Sequence, residues 1–351
     1  MVSAVLQTSF LGDMVLTTPL LERLAGEGLV HVVATPANAV VLANHPAVAS
    51  IIVFDKRGAD RGLSGLRRVA ERLRKVGAQR AYLAQGSART AALAWLARVP
   101  QRIGFETSGG KFFSTRRVPY DRTLHHAARL WQLANVLGDD RSVPTSLRPS
   151  LYPGAADEQA VDALLRAHHV SAETPLIALA PGSVWATKRW PSYAALGAAL
   201  AELYATDTVR LVILGAAGDA PLAQAIADAV AVRGGAPVIN ATGALSLLGS
   251  AAMLRRCRVL ITNDSAPLHL ASAMNTPTVA LFGPTVPSLG FGPLAEHRVV
   301  LGRTELACRP CHAHGPMRCP LGHWKCMQEL AVSDVIEAAQ SLTTVSSASP
   351  P

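Results

Sequence analysis

Two hydrophobic periods take turns along this chain. Short apolar runs over residues 2–7, 30–35, 50–54, 80–85 and 102–105 have strand length and strand composition. Residues 14–25, 63–76, 88–97 and 124–137 space their apolar positions as helices do. Residues 8–13 read as the first loop. The alternation pauses over 149–175, which holds Pro, Gly and one polar helix, 156–169, and then restarts. Strands are predicted over 176–180, 209–214 and 238–239, and helices over 191–204, 221–232 and 246–256. The clearest unit is VLITNDSAPLHLASAMNTPTVALFGPT, residues 259–285. It reads as strand 259–262, a polar break at Asn263 to Pro267, helix 268–274, a turn at Asn275-Thr276-Pro277, and strand 278–282. Asp, Ser and Asn suit a helix N-cap, and Pro suits a first helical turn. Free backbone N–H groups at such a start favour an anion, phosphate above all.

This alternation predicts an α/β protein with parallel sheets covered on both faces. It divides into two Rossmann-like halves, residues 1–155 and 175–330, joined by a linker helix within 156–174. A helix over 331–344 follows, and the Ser/Ala/Pro tail, 345–351, is expected to be disordered. Two such halves facing each other would form a cleft at the carboxyl ends of their strands. The polar loops fall at those ends: Leu11-Gly12-Asp13, Gln85-Gly86-Ser87, Pro181-Gly182-Ser183, 215–219 and 263–267.

Asp13 reads either as the N-cap of a helix starting at Met14 or as a carboxylate that accepts a proton from a substrate hydroxyl. Lys188, in PGSVWATKRWP, is either a solvated surface cation or a point charge for a diphosphate. Asp219 can take sugar hydroxyls or cap the helix after it. His269 lies close enough to the 263–267 break to reach the same anion. The first half lacks G-x-G-x-x-G, which disfavours a dinucleotide there. No D-x-D pair occurs, so a divalent metal holding a sugar diphosphate is not indicated. The leaving phosphate would then fall to Lys188 and the helix start at Asp264.

Composition narrows the partners. Half the residues are hydrophobic and 16% are charged, as in a core-forming globular chain. The formal net charge of +9 favours an anionic partner. Much of it lies between Lys56 and Arg80, where nine Lys/Arg face two acids, Asp60 and Glu71. That run is either a solvated helix face or a contact for an anionic acceptor at a membrane surface. It lacks interleaved aromatics, which argues against single-stranded nucleic acid. No apolar run reaches the roughly 18 residues a membrane-spanning helix needs. The N-terminus has no basic leader and Asp13 interrupts its apolar run, so it reads as a strand and the expected compartment is the cytoplasm. Cys308, Cys311, Cys319 and Cys326, with three His between them, have partial zinc-site spacing, and a structural zinc is one reading of them.

Taken together, LGDMVLTTPLL, QGSARTAALAWLARVPQRIGF, PGSVWATKRWP, LGAAGD, NDSAPLHLASAMNTPTVALFGPT and the Cys-rich segment ending in KCM resemble family 9 glycosyltransferases. These are the ADP-heptose:lipopolysaccharide heptosyltransferases, and the likeness is greatest to the second enzyme of that pathway. The resemblance runs in order along nearly the whole chain. It implies a GT-B fold, a cytoplasmic location peripheral to the inner membrane, and inverting transfer without metal or cofactor. The donor would be ADP-heptose and the acceptor a heptose-bearing lipopolysaccharide inner core. By resemblance, Asp13 is the general base and Lys188 is catalytic as well as donor-binding. Ser183, Asp219, Asp264, Ser265, Ala266 and His269 join it on the donor side, and Gly12, Gln85, Ser87 and Arg89 lie on the acceptor side. The chain departs from the family at Ala266, where Gly is usual. That matters if the position needs positive φ or close backbone approach to phosphate. Competing readings are a family 9 enzyme with another nucleotide sugar, a GT-B nucleotide-sugar epimerase, and a basic protein that only binds an anionic glycolipid or nucleic acid.

Overall fold

Residues 1–135, 142–204 and 209–346 are described by the computed structural model of the protein. They form two compact units, Met1–Tyr152 and Pro153–Pro351. The first holds strands β1 (Val2–Gln7), β2 (Leu29–Ala34), β3 (Ser50–Val53), β4 (Arg80–Leu83), β5 (Gln101–Phe105) and β6 (Arg116–Val118). Its helices are α1 (Leu11–Ala25), α2 (Pro36–Val40), α3 (Gly62–Lys75), α4 (Ala88–Leu96) and α5 (His126–Gln132). The second holds α6 (Ala155–Ala167), β7 (Leu176–Ala180), α7 (Tyr193–Leu203), β8 (Arg210–Ile213), α8 (Ala220–Val232), β9 (Ile239–Asn240) and α9 (Leu247–Arg256). It continues through β10 (Cys257–Asn263), α10 (Ala266–Met274), β11 (Thr278–Leu281), β12 (Arg298–Leu301), α11 (Lys325–Gln328) and α12 (Val332–Ser346).

Every strand pair is parallel. The sheets run β3-β2-β1-β4-β5-β6 and β12-β11-β10-β7-β8-β9. Read from the other edge and numbered within its own unit, the second sheet has the same order as the first. Both are doubly wound sheets with one reversal of strand order, beside β1 in one unit and beside β7 in the other. The central strands are apolar on both faces and almost wholly buried, as helix-covered parallel strands must be. One core cluster lies under α3 and α4 and another under α7, α8 and α12.

Several expectations shift. The first helix begins at Leu11, not Met14, after Phe10 in extended backbone with no side-chain cap. Asp13 is therefore inside the first turn and caps nothing. The Gly12-Asp13 pair looks like a cap, but both residues are tolerated in a first turn whose N–H groups have no helical partner. The helix expected as a linker is α6, and it packs on α9 of the second unit. Glu158 and Asp162 pair with Arg255 and Arg256, and Asp157 accepts from the Ser246 hydroxyl. The helix predicted over 124–137 shortens to α5, and residues 136–137 lie outside the described residues. The last helix continues to Ser346, and 347–351 also lie outside them. No helix among the described residues is long and apolar enough to cross a membrane.

Pro19 sits inside α1 and cannot donate to the Val15 carbonyl. Thr18 replaces that bond: its hydroxyl donates to Val15 O at 2.9 Å and accepts from Ser150 N–H at 3.0 Å. The first of these bonds is buried and the second is half-buried. Thr18→Val should therefore lower unfolding stability by about 1–3 kcal/mol, since a buried carbonyl and a half-buried N–H lose their partner. Equilibrium urea unfolding measures this directly.

Candidate functional site

In the first unit the polar residues collect where β1 and β4 end. Asp13 projects from the first turn of α1, a position where a carboxylate suits the helix dipole. The Ser9 hydroxyl lies 2.5 Å from Asp13 Oδ2 and 2.7 Å from Gln7 Oε1. Gln7 is completely buried and fixed in orientation. Its Nε2 donates to Ala84 O at 3.1 Å, and its Oε1 accepts from Ser9 N–H at 3.2 Å. Ser9 thus has one proton and two oxygens that want it. Asp13 ionised takes that proton bond. Asp13 protonated can donate to Ser9 Oγ while Ser9 turns its proton to Gln7. On the other carboxylate oxygen, His126 Nε2 stands 3.8 Å from Oδ1. It is held there because α5 packs on α1.

Next to this cluster lies a second net around Thr8. Gln85 Nε2 reaches Thr8 Oγ1 at 2.5 Å and Thr90 Oγ1 at 2.6 Å, and Lys56 Nζ donates to Thr8 O at 2.6 Å. Burial lowers the Lys56 ammonium pKa, and the neighbouring charges of Arg57 and Arg89 lower it further. Ser87 caps α4 by accepting from Thr90 N–H. Arg89 stacks over Phe54 and donates to the carbonyls of Lys56, Asp60 and Gly62. Of the residues expected on the acceptor side, Gln85 ties Thr8 to Thr90, Arg89 holds the 56–62 loop in place, Ser87 starts a helix, and Gly12 lies inside α1.

In the second unit the equivalent ends are those of β7 and β10. Asn263, at the end of β10, is fully buried. Its Nδ2 donates to Pro181 O at 2.8 Å and its Oδ1 accepts from Trp190 N–H at 3.2 Å, so it clamps both ends of the PGSVWATKRW loop. That clamp carries Lys188 inward. Lys188 is 8% exposed, which rules out the solvated reading. Its Nζ lies 2.6 Å from Asp264 Oδ2, which also accepts from the Thr285 hydroxyl at 2.7 Å. Gly315 covers the lysine stem. A Cβ there would come 3.0 Å from Lys188 Cε, and the residue has φ +85°. The Thr187 hydroxyl donates to Pro316 O beside it. The Cys-rich segment thus serves as a lid on the Lys188 loop.

Helix α10 starts immediately after Asp264. Ser265 is its N-cap residue in extended backbone but makes no capping bond, and its buried Oγ has no partner among the described residues. Ala266 is the first residue of a right-handed helix, so positive φ is not required there. His269 is buried one turn on. Asp219 does not cap α8. Its carboxylate turns back to accept from Ala216 N–H at 2.9 Å and lies against the Pro181–Ser183 turn, where a Cβ on Gly182 would meet Oδ2 at 2.4 Å. Ser183 O accepts from Arg189 Nε at 2.8 Å, fixing that turn.

Cys308, Cys311, Cys319 and Cys326 lie near enough to influence one another electrostatically. Among the described residues no three His, Cys, Asp or Glu are grouped to hold a metal ion. Cys308 Sγ and His323 Nε2 approach only to 3.9 Å. The segment is tied down instead by Arg309, whose guanidinium donates to the carbonyls of Phe282, Gly283 and Thr285. Burial pushes the Cys326 thiol up to about 11, against the opposing charge of Arg309.

Sequence reading missed Ser9, His126, Thr285 and Asn263 as contributors. Ser9 stands four residues before Asp13, a spacing that was available. His126 reaches Asp13 only through tertiary packing.

Two doubly wound units of this strand order place the chain in the GT-B fold class. Glycosyltransferase family 9 (heptosyltransferase) matches residues 66–324, and the chain belongs to that family. It is 27% identical over 301 residues to lipopolysaccharide heptosyltransferase 2 of Salmonella typhimurium, covering 84% of this chain and 85% of that one. A family 9 glycosyltransferase of Veillonella parvula superposes with TM-score 0.84 at 26% identity, covering 98% and 97%. The Escherichia coli ADP-heptose lipopolysaccharide heptosyltransferase II superposes with TM-score 0.80 at 23% identity, covering 99% and 100%. The chain is a glycosyltransferase.

Lys188→Met leaves the Asp264 carboxylate buried and short of its cation. It should destabilise the fold by about 3–5 kcal/mol, and adding Asp264→Asn should recover part of the loss. Urea titrations of the two variants against the parent check both outcomes.

Proposed function

We propose that the chain moves a heptose from ADP-heptose to the heptose-bearing inner core of lipopolysaccharide, with inversion at the anomeric carbon. The observation that carries this reading is the Ser9–Asp13 arrangement. A base must be comfortable before and after it takes a proton, and the Ser9–Gln7 pair offers Asp13 a partner in both forms. On this reading the acceptor hydroxyl loses its proton to Asp13 as its oxygen attacks the anomeric carbon. The bond to the diphosphate breaks and ADP leaves.

The second unit supplies what the departing charge needs. Lys188 is a pre-placed cation, and the start of α10 offers backbone N–H groups and the unpaired Ser265 hydroxyl. A diphosphate would compete with Asp264 for Lys188 rather than recruit it from solvent. Ala266 in a right-handed first turn leaves those N–H groups in helical orientation. His269, Ser183 and Asp219 border the same loops and are assigned to the donor. Gly12, Gln85, Ser87 and Arg89 are assigned to the acceptor side, chiefly as the scaffold of the Thr8 and 56–62 loops. Its similarity to lipopolysaccharide heptosyltransferase 2 and to the ADP-heptose lipopolysaccharide heptosyltransferase II supports the donor and acceptor class. The site of action is assigned to the cytoplasmic face of the inner membrane, where a lipid-borne acceptor is reached from water.

The test is acceptor-dependent release of ADP from ADP-heptose. Asp13→Asn should lower kcat roughly 10²–10⁴-fold with little change in donor KM, as expected for a lost general base. Release from another nucleotide sugar but not from ADP-heptose would overturn the donor. Full activity of Asp13→Asn would overturn the base.

A further inference from the structure

Helix α4 has an unusual outward face. Ala88, Ala92 and Trp95 recur at i, i+4 and i+7, so they line one stripe, and it is the stripe that looks away from the core. Thr90, Ala91, Leu93 and Ala94 are the buried positions. A surface helix normally turns charged or polar residues outward. This one turns out two small apolar residues and a tryptophan that is 52% exposed. The stripe continues into the turn at Lys111–Phe113, which packs on α4. Phe113 lies against Trp95 with ring centroids 5.8 Å apart, and Phe112 beside it is 82% exposed. Lys111 Nζ sits 5.8 Å from the Phe112 ring.

The neighbouring helix α3 supplies charge. It packs beside α4 over the same core cluster. Arg89 of α4 bonds the carbonyls of Asp60 and Gly62, so the two helices start side by side. At 100° per residue, Leu63, Arg67 and Arg74 fall on one flank of α3. Arg68 and Arg72 fall on the opposite flank, where both pair with Asp60 and Arg72 also bonds Val53 O on β3. The Leu63 flank therefore faces away from the β3 edge, toward α4. Leu63 is 74% exposed. Glu71, paired to Arg74 at 2.7 Å, is the one acid among the exposed positions of α3, against Arg67, Arg68, Arg72, Arg74 and Lys75.

From this juxtaposition we infer that the α3–α4 face of the first unit is a docking surface for an anionic phospholipid bilayer. Trp95, Phe112 and Leu63 enter the headgroup region while Arg67, Arg74 and Lys111 meet lipid phosphates. An apolar stripe with exposed aromatics beside a cationic flank matches the chemistry of a bilayer interface, where amphipathic rings and cations are both favoured. A free anion would not need the exposed tryptophan and phenylalanine. This goes beyond the proposed transfer reaction, which does not specify how the enzyme meets the membrane, and it stands or falls without it.

The test is flotation of the full chain with vesicles of phosphatidylethanolamine and phosphatidylglycerol, beside vesicles of phosphatidylcholine alone. The parent should float with the anionic vesicles and not with the zwitterionic ones. Arg67→Gln with Lys111→Gln should weaken partitioning roughly thirtyfold, at about fivefold per cation. Trp95→Gln with Phe112→Ser should also abolish flotation in salt that screens the charges, while unchanged thermal melting shows the fold intact. Removing two exposed cations of the second unit, Arg166→Gln with Arg258→Gln, should leave binding as it is. Equal loss in that control would reduce the effect to general attraction by net charge and overturn the surface, as would failure of the parent to bind anionic vesicles. ADP release on a soluble acceptor, measured in parallel, reports the transfer reading separately.

Discussion

Parallel strands that all end at one edge impose a single constraint on this chain. At the point where strand order reverses, the two central strands send their following segments to opposite sides, and backbone groups there lose their neighbours. The sequence must fill that gap with polar atoms, and it does so twice. In the first unit Gln7 bonds Ala84 O across the end of β1 and β4. In the second, Asn263 bonds Pro181 O across the end of β10 and β7. Both side chains are amides, both are fully buried, and each gives donor and acceptor at once. Once those amides are fixed, the residues beside them are fixed too. Ser9 and Asp13 hang on Gln7, while Trp190 and the Lys188 loop hang on Asn263.

The buried Lys188–Asp264 pair follows from this clamp rather than causing it. A lysine taken out of water costs several kcal/mol unless an anion meets it, and Asp264 with Thr285 does so. On the proposed reading this is also a binding device. The ammonium has already lost its water and its rotamer freedom when the diphosphate arrives, so the donor does not have to supply the energy of ordering it. The lid formed by Gly315 and Pro316 keeps that stem in place.

Much of this was legible in the sequence because parallel sheets write a loud signal. Strands buried on both faces read as unbroken apolar runs, and 176–180 and 259–262 were recognisable for that reason. The short edge strands β6 and β12 were not, because their exposed positions break the pattern. The start of α1 was misplaced because Gly12 and Asp13 imitate a cap, whereas the exposed Phe10 that leads the helix carries no capping signal. Lys188 looked like any surface lysine. Its burial depends on Asn263, far along the chain, and no local window contains both. The same distance hides His126 from Asp13.

One topology used twice need not give one chemistry twice. After its first strand, each unit has a loop that leads to a helix beside the strand-order reversal. The first unit puts a carboxylate there, in the opening turn of α1, with a hydroxyl that can serve either protonation state. The second puts a buried cation there, and across the switch point it leaves the start of α10 with an unused hydroxyl. A carboxylate suits proton removal and a cation beside helix N–H groups suits a leaving phosphate. On the proposed reading, this division suits a transfer between a hydroxyl and a nucleotide sugar, because bond making and bond breaking develop opposite demands on charge. That is the physical reason to prefer transfer over simple binding.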